Sequence, residues 1–146
     1  MRVSWDYTNL DFILVISVIA IIALVIIVRY LFKKYSAVGI DRRLIRERWK
    51  KIVDLMQYKK EMNCKLAIIE ADKLLDYVLK EMYFNGQTMA ERLKLATYKF
   101  PKLKQVWWAH KVRNHIVHDT NYIVKYGETK RVLILFKRAL KELGVL

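Results

Sequence analysis

The sequence predicts an all-α protein: one N-terminal transmembrane helix followed by a bundle of four to five helices. Three observations carry that prediction. Phe12 to Val28 reads "FILVISVIAIIALVIIV", seventeen residues without a charge. After it, apolar residues recur at three- and four-residue spacing, the signature of amphipathic helices. Glycine, proline and Asn-Gly signals fall between those periodic stretches. No convincing strand alternation interrupts them, although "YIVKY" at Tyr122–Tyr126 is compatible with an extended segment.

The apolar run comes first. Extended to Leu10 and Phe32 it holds 23 residues, with Asp11 and Arg29 near its ends. A bilayer core needs about 20 apolar residues in a helix, and terminal charges can snorkel to the interface. Trp5, Tyr7, Tyr30 and Tyr35 flank the run as an aromatic belt does. A cleaved signal peptide has a positive start and a shorter apolar run. Here Asp6 and Asp11 stand against Arg2, and Lys33-Lys34 follow the run. A core helix of such purity is unusual in so small a domain. Arg29, Lys33, Lys34, Arg42, Arg43, Arg46 and Arg48 follow the run and only Arg2 precedes it, which predicts a single pass of the cell's plasma or inner membrane with the C-terminal part cytoplasmic. The expected organisation is a short extracytoplasmic N-terminus (1–9), a span (10–32), a linker (33–40) and a helical domain (41–146).

Asp41 can cap the first helix of that domain, expected to reach about Lys60, with Leu44, Ile45, Trp49, Ile52, Val53 and Met56 on its apolar side. A second helix is expected from about Asn63 to Phe84. Its apolar set is Leu66, Ile69, Leu74, Tyr77, Val78 and Met82, and Asn85-Gly86 is a suitable left-handed stop. "TMAE" at Thr88–Glu91 matches a capping box, so a short third helix starts there and stops before Pro101. A fourth runs from about Lys102 to His118. A fifth runs from about Glu128 to Leu143, with Val132, Leu133, Leu135, Phe136, Leu140 and Leu143 toward a core and Gly144 as terminator.

Charge and cysteine content narrow the classes. The whole chain carries +14. From Ser36 onward it has 24 Lys and Arg against 12 Asp and Glu, a net +12. That balance suits nucleic acid or an anionic lipid surface, and equally a solubilising, positive-inside bias. "RRLIRERWKK" (Arg42–Lys51) fits either a lipid-facing segment or a solvated helix face. The one cysteine, Cys64, permits no intrachain disulfide and reads as a small buried hydrophobe. The phosphate-loop patterns GxGxxG and GxxxxGK[ST] are absent, as is HExxH. His110, His115, His118 and Asp119 make a thin ligand set for zinc, so no metal and no cofactor are expected. Of the adjacent pair Trp107 and Trp108, one is expected to face the core, since neighbours on a helix stand about 100° apart. The other is then free to stack on a base.

Chemistry concentrates in "RNHIVHD", Arg113 to Asp119. At about 100° per residue, His110, Arg113, Asn114 and His118 fan across one broad side of the fourth helix. Histidine can exchange a proton near neutral pH, and arginine can hold a phosphate through two parallel hydrogen bonds. Together they suit attack of an RNA 2′-hydroxyl on its own phosphate, a reaction that needs no metal. The plainer reading has histidine and arginine complementing the helix C-terminus, with Asp119 pairing with one of them.

Arg113-Asn114-x-x-x-His118 resembles the R-N-x-x-x-H form of the R-x(4–6)-H motif of the HEPN superfamily. "LKQVWWAHKVRNHIVHD" is similar to the motif-bearing helix, and "KLAIIEADKLLDYVLKEM" (Lys65–Met82) looks like the acidic-apolar helix upstream of it. The likeness runs from about Trp49 to Leu143. It implies a metal-independent endoribonuclease working as a homodimer. Arg113 would bind the scissile phosphate, His118 would act as acid and base, and Asn114 would orient the backbone. Glu70 or Asp72, and His110, would support the site. Some members of the superfamily are non-catalytic and bind RNA, nucleotide or protein, and a membrane anchor is not part of their common pattern.

Overall fold

The computed structural model describes residues 7–35 and 39–146. Expectations that rest on residues 1–6 and 36–38, including Trp5 in an aromatic belt and the middle of the linker, lie outside the described residues. The chain divides into two compact units, Met1–Ser36 and Ala37–Leu146. Among the described residues the units hold six α-helices and no strand.

The first unit is α1, Tyr7–Tyr35, longer at both ends than the apolar run itself. The segment Phe12–Tyr30 is long and apolar enough to cross a membrane, and none of it is buried. A core helix of the same composition would be covered by protein, because leaving such side chains in water is unfavourable by about 25 cal/mol per Å². The Ser17 hydroxyl donates to the Leu14 carbonyl at 2.7 Å, as a polar group in an apolar helix should.

The second unit starts with Asp41, whose carboxylate accepts from the backbone N–H of Arg43 (2.8 Å) and Leu44 (3.1 Å). This caps α2, Arg42–Leu55. The helix expected to reach Lys60 tightens into a 3₁₀ turn at Met56–Tyr58 and stops at Lys59, which is left-handed at φ 50°. Ile45, Trp49, Ile52 and Met56 are buried, while Val53 remains exposed.

α3, Glu61–Glu81, is the central element and lies against α2, α4, α5 and α6. Its buried face is Cys64, Ala67, Ile68, Ala71, Leu74, Leu75, Val78 and Leu79. The face is thus rotated from the expected one: Leu66 is exposed and Ile69 only half-buried. Cys64 is buried in the core, as expected. The stop also differs. Tyr83, not Gly86, takes the left-handed conformation (φ 61°). Phe84 N–H bonds to the Leu79 carbonyl and Tyr83 N–H to that of Lys80, a Schellman closure. Gly86 serves a different need. It sits at φ +151°, and a Cβ there would stand 2.8 Å from Glu91 Cβ.

α4 is Met89–Lys99, capped by Thr88, whose hydroxyl accepts from Glu91 N–H at 3.2 Å. Glu91 returns the bond to Gln87 N–H (2.7 Å), one residue earlier than in the standard box. Pro101 then opens a 3₁₀ turn, Pro101–Gln105, so the expected fourth helix is split. Its α-helical part is α5, Val106–His118. Tyr122–Tyr126 forms no strand; Val124 is buried and α6 begins at Tyr126, ending at Glu142. Val132, Leu133, Phe136 and Leu140 are buried as expected, with Leu135 half-buried. Gly144 (φ +75°) closes α6 with the same two bonds as α3. Among the described residues, the buried apolar side chains of the core run from Ile40 to Val145, all in the second unit.

Candidate functional site

α3 and α5 pack side by side and bring Asp72 against the first half of the RN motif. Asp72 is 2% exposed, deep for a carboxylate. Burying a charge is costly unless it is paired, and two side chains of α5 answer it. His110 Nδ1 lies 2.7 Å from Asp72 Oδ1. Arg113 Nε lies 3.4 Å from Oδ2, without hydrogen-bond geometry. The spacing explains the convergence: residues 110 and 113 are one helical turn apart and share a face.

A carboxylate can only accept, so Nδ1 is the ring nitrogen that donates to Asp72, and Nε2 points away from it. Among the buried side-chain nitrogen and oxygen atoms of the described residues, Arg113 Nε alone lacks a hydrogen bond. Nε2 of His110 is therefore not sealed in. The arrangement resembles the orienting half of a general-base pair, with a carboxylate fixing the ring and the far nitrogen left available. Arg113 is oriented as well. Its Nη1 donates to Asn114 Oδ1 at 3.0 Å, and Nη2 has no partner among the described residues.

These residues line an open cleft of about 460 Å³, walled also by Lys73, Asp76, Gln87, Thr88, Met89 and Arg92. Its far wall is held by Arg92. The guanidinium forks onto Asp76 with Nε–Oδ1 2.7 Å and Nη2–Oδ2 3.0 Å, and Nη1 donates to the Gly86 carbonyl. The Asp76 hydrogen bond raises the Arg92 pKa above its ordinary value, against the opposing effect of burial. Arg92 is thus committed to the wall. Arg113 keeps a free edge, and the exposed Lys73 ammonium pairs with Glu70 (2.9 Å).

The site residues expected from sequence separate into two groups. Asp72, His110, Arg113 and Asn114 meet in one cleft. His118 does not line it. It is exposed on the last turn of α5, without a hydrogen bond or ion pair among the described residues. Glu70 sits on another side of α3, bonded to Lys73 and lining a hollow with Arg48 and Lys51. His115 stacks on Tyr122 with ring centroids 5.4 Å apart. The Tyr122 hydroxyl donates to Glu128 at 2.8 Å, and burial with that bond pushes its pKa up to about 12. Asp119 pairs with neither arginine nor histidine; it accepts from Asn121 N–H at 2.9 Å and shapes the turn. No group of three or more potential metal ligands occurs among the described residues.

Both tryptophans are partly exposed, Trp107 at 38% and Trp108 at 43%, so neither is the core residue the pattern suggested. Val106, Ala109, His110 and Val112 occupy the buried side of α5 instead. Trp107 meets the His110 ring edge-on at 6.4 Å. Asp76 and Arg92 were not legible as cleft residues, because their pairing spans two helices and carries no local motif.

The chain matches no protein-family model, no curated protein and no solved structure.

Proposed function

We propose that this protein is a membrane-anchored, HEPN-like endoribonuclease whose helical domain works at the cytoplasmic face as a homodimer. The observation that carries the reading is the α3–α5 cleft, where Arg113 presents an unpartnered guanidinium edge beside Asn114. The R-N-x-x-x-H spacing and the basic balance of the domain add to it.

Arg113 grips the scissile phosphate and offsets the charge that grows on it. A base removes the proton from the RNA 2′-hydroxyl, and the oxygen attacks the adjacent phosphorus. The 5′-oxygen leaves and takes a proton from an acid, giving a 2′,3′-cyclic phosphate and a 5′-hydroxyl. Within one chain His118 stands outside the cleft, so His118 of the second protomer completes the site. Asp72, bonded to His110, stands behind Arg113 as its buried counter-charge at 3.4 Å.

The test is incubation of the purified protein, in neutral detergent and EDTA, with single-stranded RNA. Cleavage to cyclic-phosphate ends is expected, reduced at least about 10²-fold by Arg113→Ala or His118→Ala. Intact RNA at high protein concentration, or equal cleavage by His118→Ala, sinks the catalytic reading. The separation of His118 from the Arg113 cleft favours a second reading, a membrane-tethered module that binds RNA, nucleotide or a partner protein without cutting. Its RNA-binding form predicts association that falls steeply with salt; a flat salt response argues against that form.

A further inference from the structure

On the side of the domain formed by α2 and α6, an apolar surface is left without a protein neighbour. Both helices pack on α3 and leave a groove of about 430 Å³ between them. Its floor is Trp49, Val53, Met56, Leu133 and Ile134. Val53 is 45% exposed and Ile134 48%, so large aliphatic groups face outward where the core does not need them. Lys130 and Lys137 stand in the same groove, two turns apart on α6. Lys130 rides over the Tyr126 ring at 5.0 Å. Lys137 has no acidic partner among the described residues, and α6 carries no carboxylate between Thr129 and Lys141. On α2, exposed Arg46 and Lys50 flank Trp49 and Val53 one turn away, also without acidic partners among the described residues.

An apolar floor with cations above it matches one chemistry, an anionic phospholipid: acyl carbon on the floor and phosphate on the ammonium groups. The chain itself supplies the second reason. Residues 36–41 join α1, which ends at Tyr35, to α2, which starts at Arg42. Even fully extended, six residues reach about 22 Å at most. A domain leashed to a membrane meets its lipid headgroups at high effective concentration. We infer that the α2–α6 groove docks on anionic phospholipid of the bilayer that α1 enters, through Lys130 and Lys137 around Val53 and Ile134. This surface is separate from the α3–α5 cleft and does not depend on the ribonuclease reading.

The test uses the full chain reconstituted in vesicles, with an environment-sensitive dye on Ile134→Cys. A second protein carries the dye on Tyr98→Cys, 76% exposed on α4, as a control. Cys64 is buried and stays unlabelled. Vesicles of phosphatidylcholine alone are compared with vesicles containing phosphatidylglycerol. The dye at position 134 should turn apolar only with the anionic lipid, and high salt should reverse the change. Lys130→Glu with Lys137→Glu should lower the docked population roughly tenfold or more. The reversed pair Lys94→Glu with Lys111→Glu, on α4 and α5, should leave it near the wild-type value. Three results would overturn the proposal: equal wetness at positions 134 and 98 in both vesicles, equal loss from both charge reversals, or a signal that follows protein-to-lipid ratio. The last would mark a second copy of the chain as the occupant of the groove.

Discussion

Tyr83 and Gly144 occupy the same position in two copies of one helix stop, and they differ in what that position asks of them. Each is left-handed, and each begins a pair of backbone bonds that closes its helix. Glycine takes this conformation freely, whereas a side chain with a Cβ loses about 1 kcal/mol there. Tyr83 is 88% exposed, so its ring returns little through packing. Tyr83→Gly should therefore raise stability by about 1 kcal/mol, read as an increase of a few degrees in Tm; an unchanged or lower Tm would show that the ring contributes more than its exposure suggests. Sequence reading found the stop near this point but assigned it to Asn85-Gly86. Gly86 carries a turn signal for another reason, the close approach of Glu91 and Arg92. At the site, Arg113 and Asn114 were legible as a local motif. Asp72 and Glu70 were not separable, because two residues on one helix point about 200° apart and only the packing of α5 decides which one is used.

The helices themselves were legible because each has a periodic apolar face and a signal at one or both ends. The errors lie where tertiary packing overrides spacing. α3 contacts four neighbours, and it makes room for them with Cys64, Ala67 and Ala71, small residues that a search for large aliphatics passes over. The 3₁₀ turns at Met56–Tyr58 and Pro101–Gln105 read as α-helix from sequence for a similar reason, since Met56 and Leu103 are buried and continue the apolar rhythm through them. Arg92 ties two elements together through one side chain. One guanidinium joins α4 to Asp76 on α3 and to the Gly86 carbonyl in the connection between them. Lysine keeps the charge but cannot form the two parallel bonds. Arg92→Lys should cost about 1–3 kcal/mol, close to Arg92→Ala, measured as a lower denaturant midpoint with the slope unchanged. A wild-type midpoint in the lysine variant would mean that charge alone holds the wall.

At the scale of the molecule, two kinds of composition are written into one chain. Phe12–Val28 carries no charge and is almost wholly apolar, while the domain after it buries a core of its own and carries the basic excess. This division was legible from composition alone, since a charge-free run and a charged amphipathic remainder need no tertiary information to tell apart. It has a consequence for folding. The core begins at Ile40, 9% exposed, and Asp41 caps α2 immediately after it. A cut after residue 36 thus leaves Ile40, the Asp41 cap and the core that follows them in the fragment. The Ala37–Leu146 fragment should be soluble without detergent and unfold in one cooperative step. Its Tm should lie within a few degrees of the domain transition of the full chain in neutral detergent. A cut that also removes Ile40 and Asp41 should lower Tm further, because it opens the end of the core and leaves the first turn of α2 uncapped, a loss of about 1 kcal/mol for the cap alone. If the Ala37–Leu146 fragment instead aggregates or melts broadly, the domain draws stability from α1 or from lipid, and the two units are not independent.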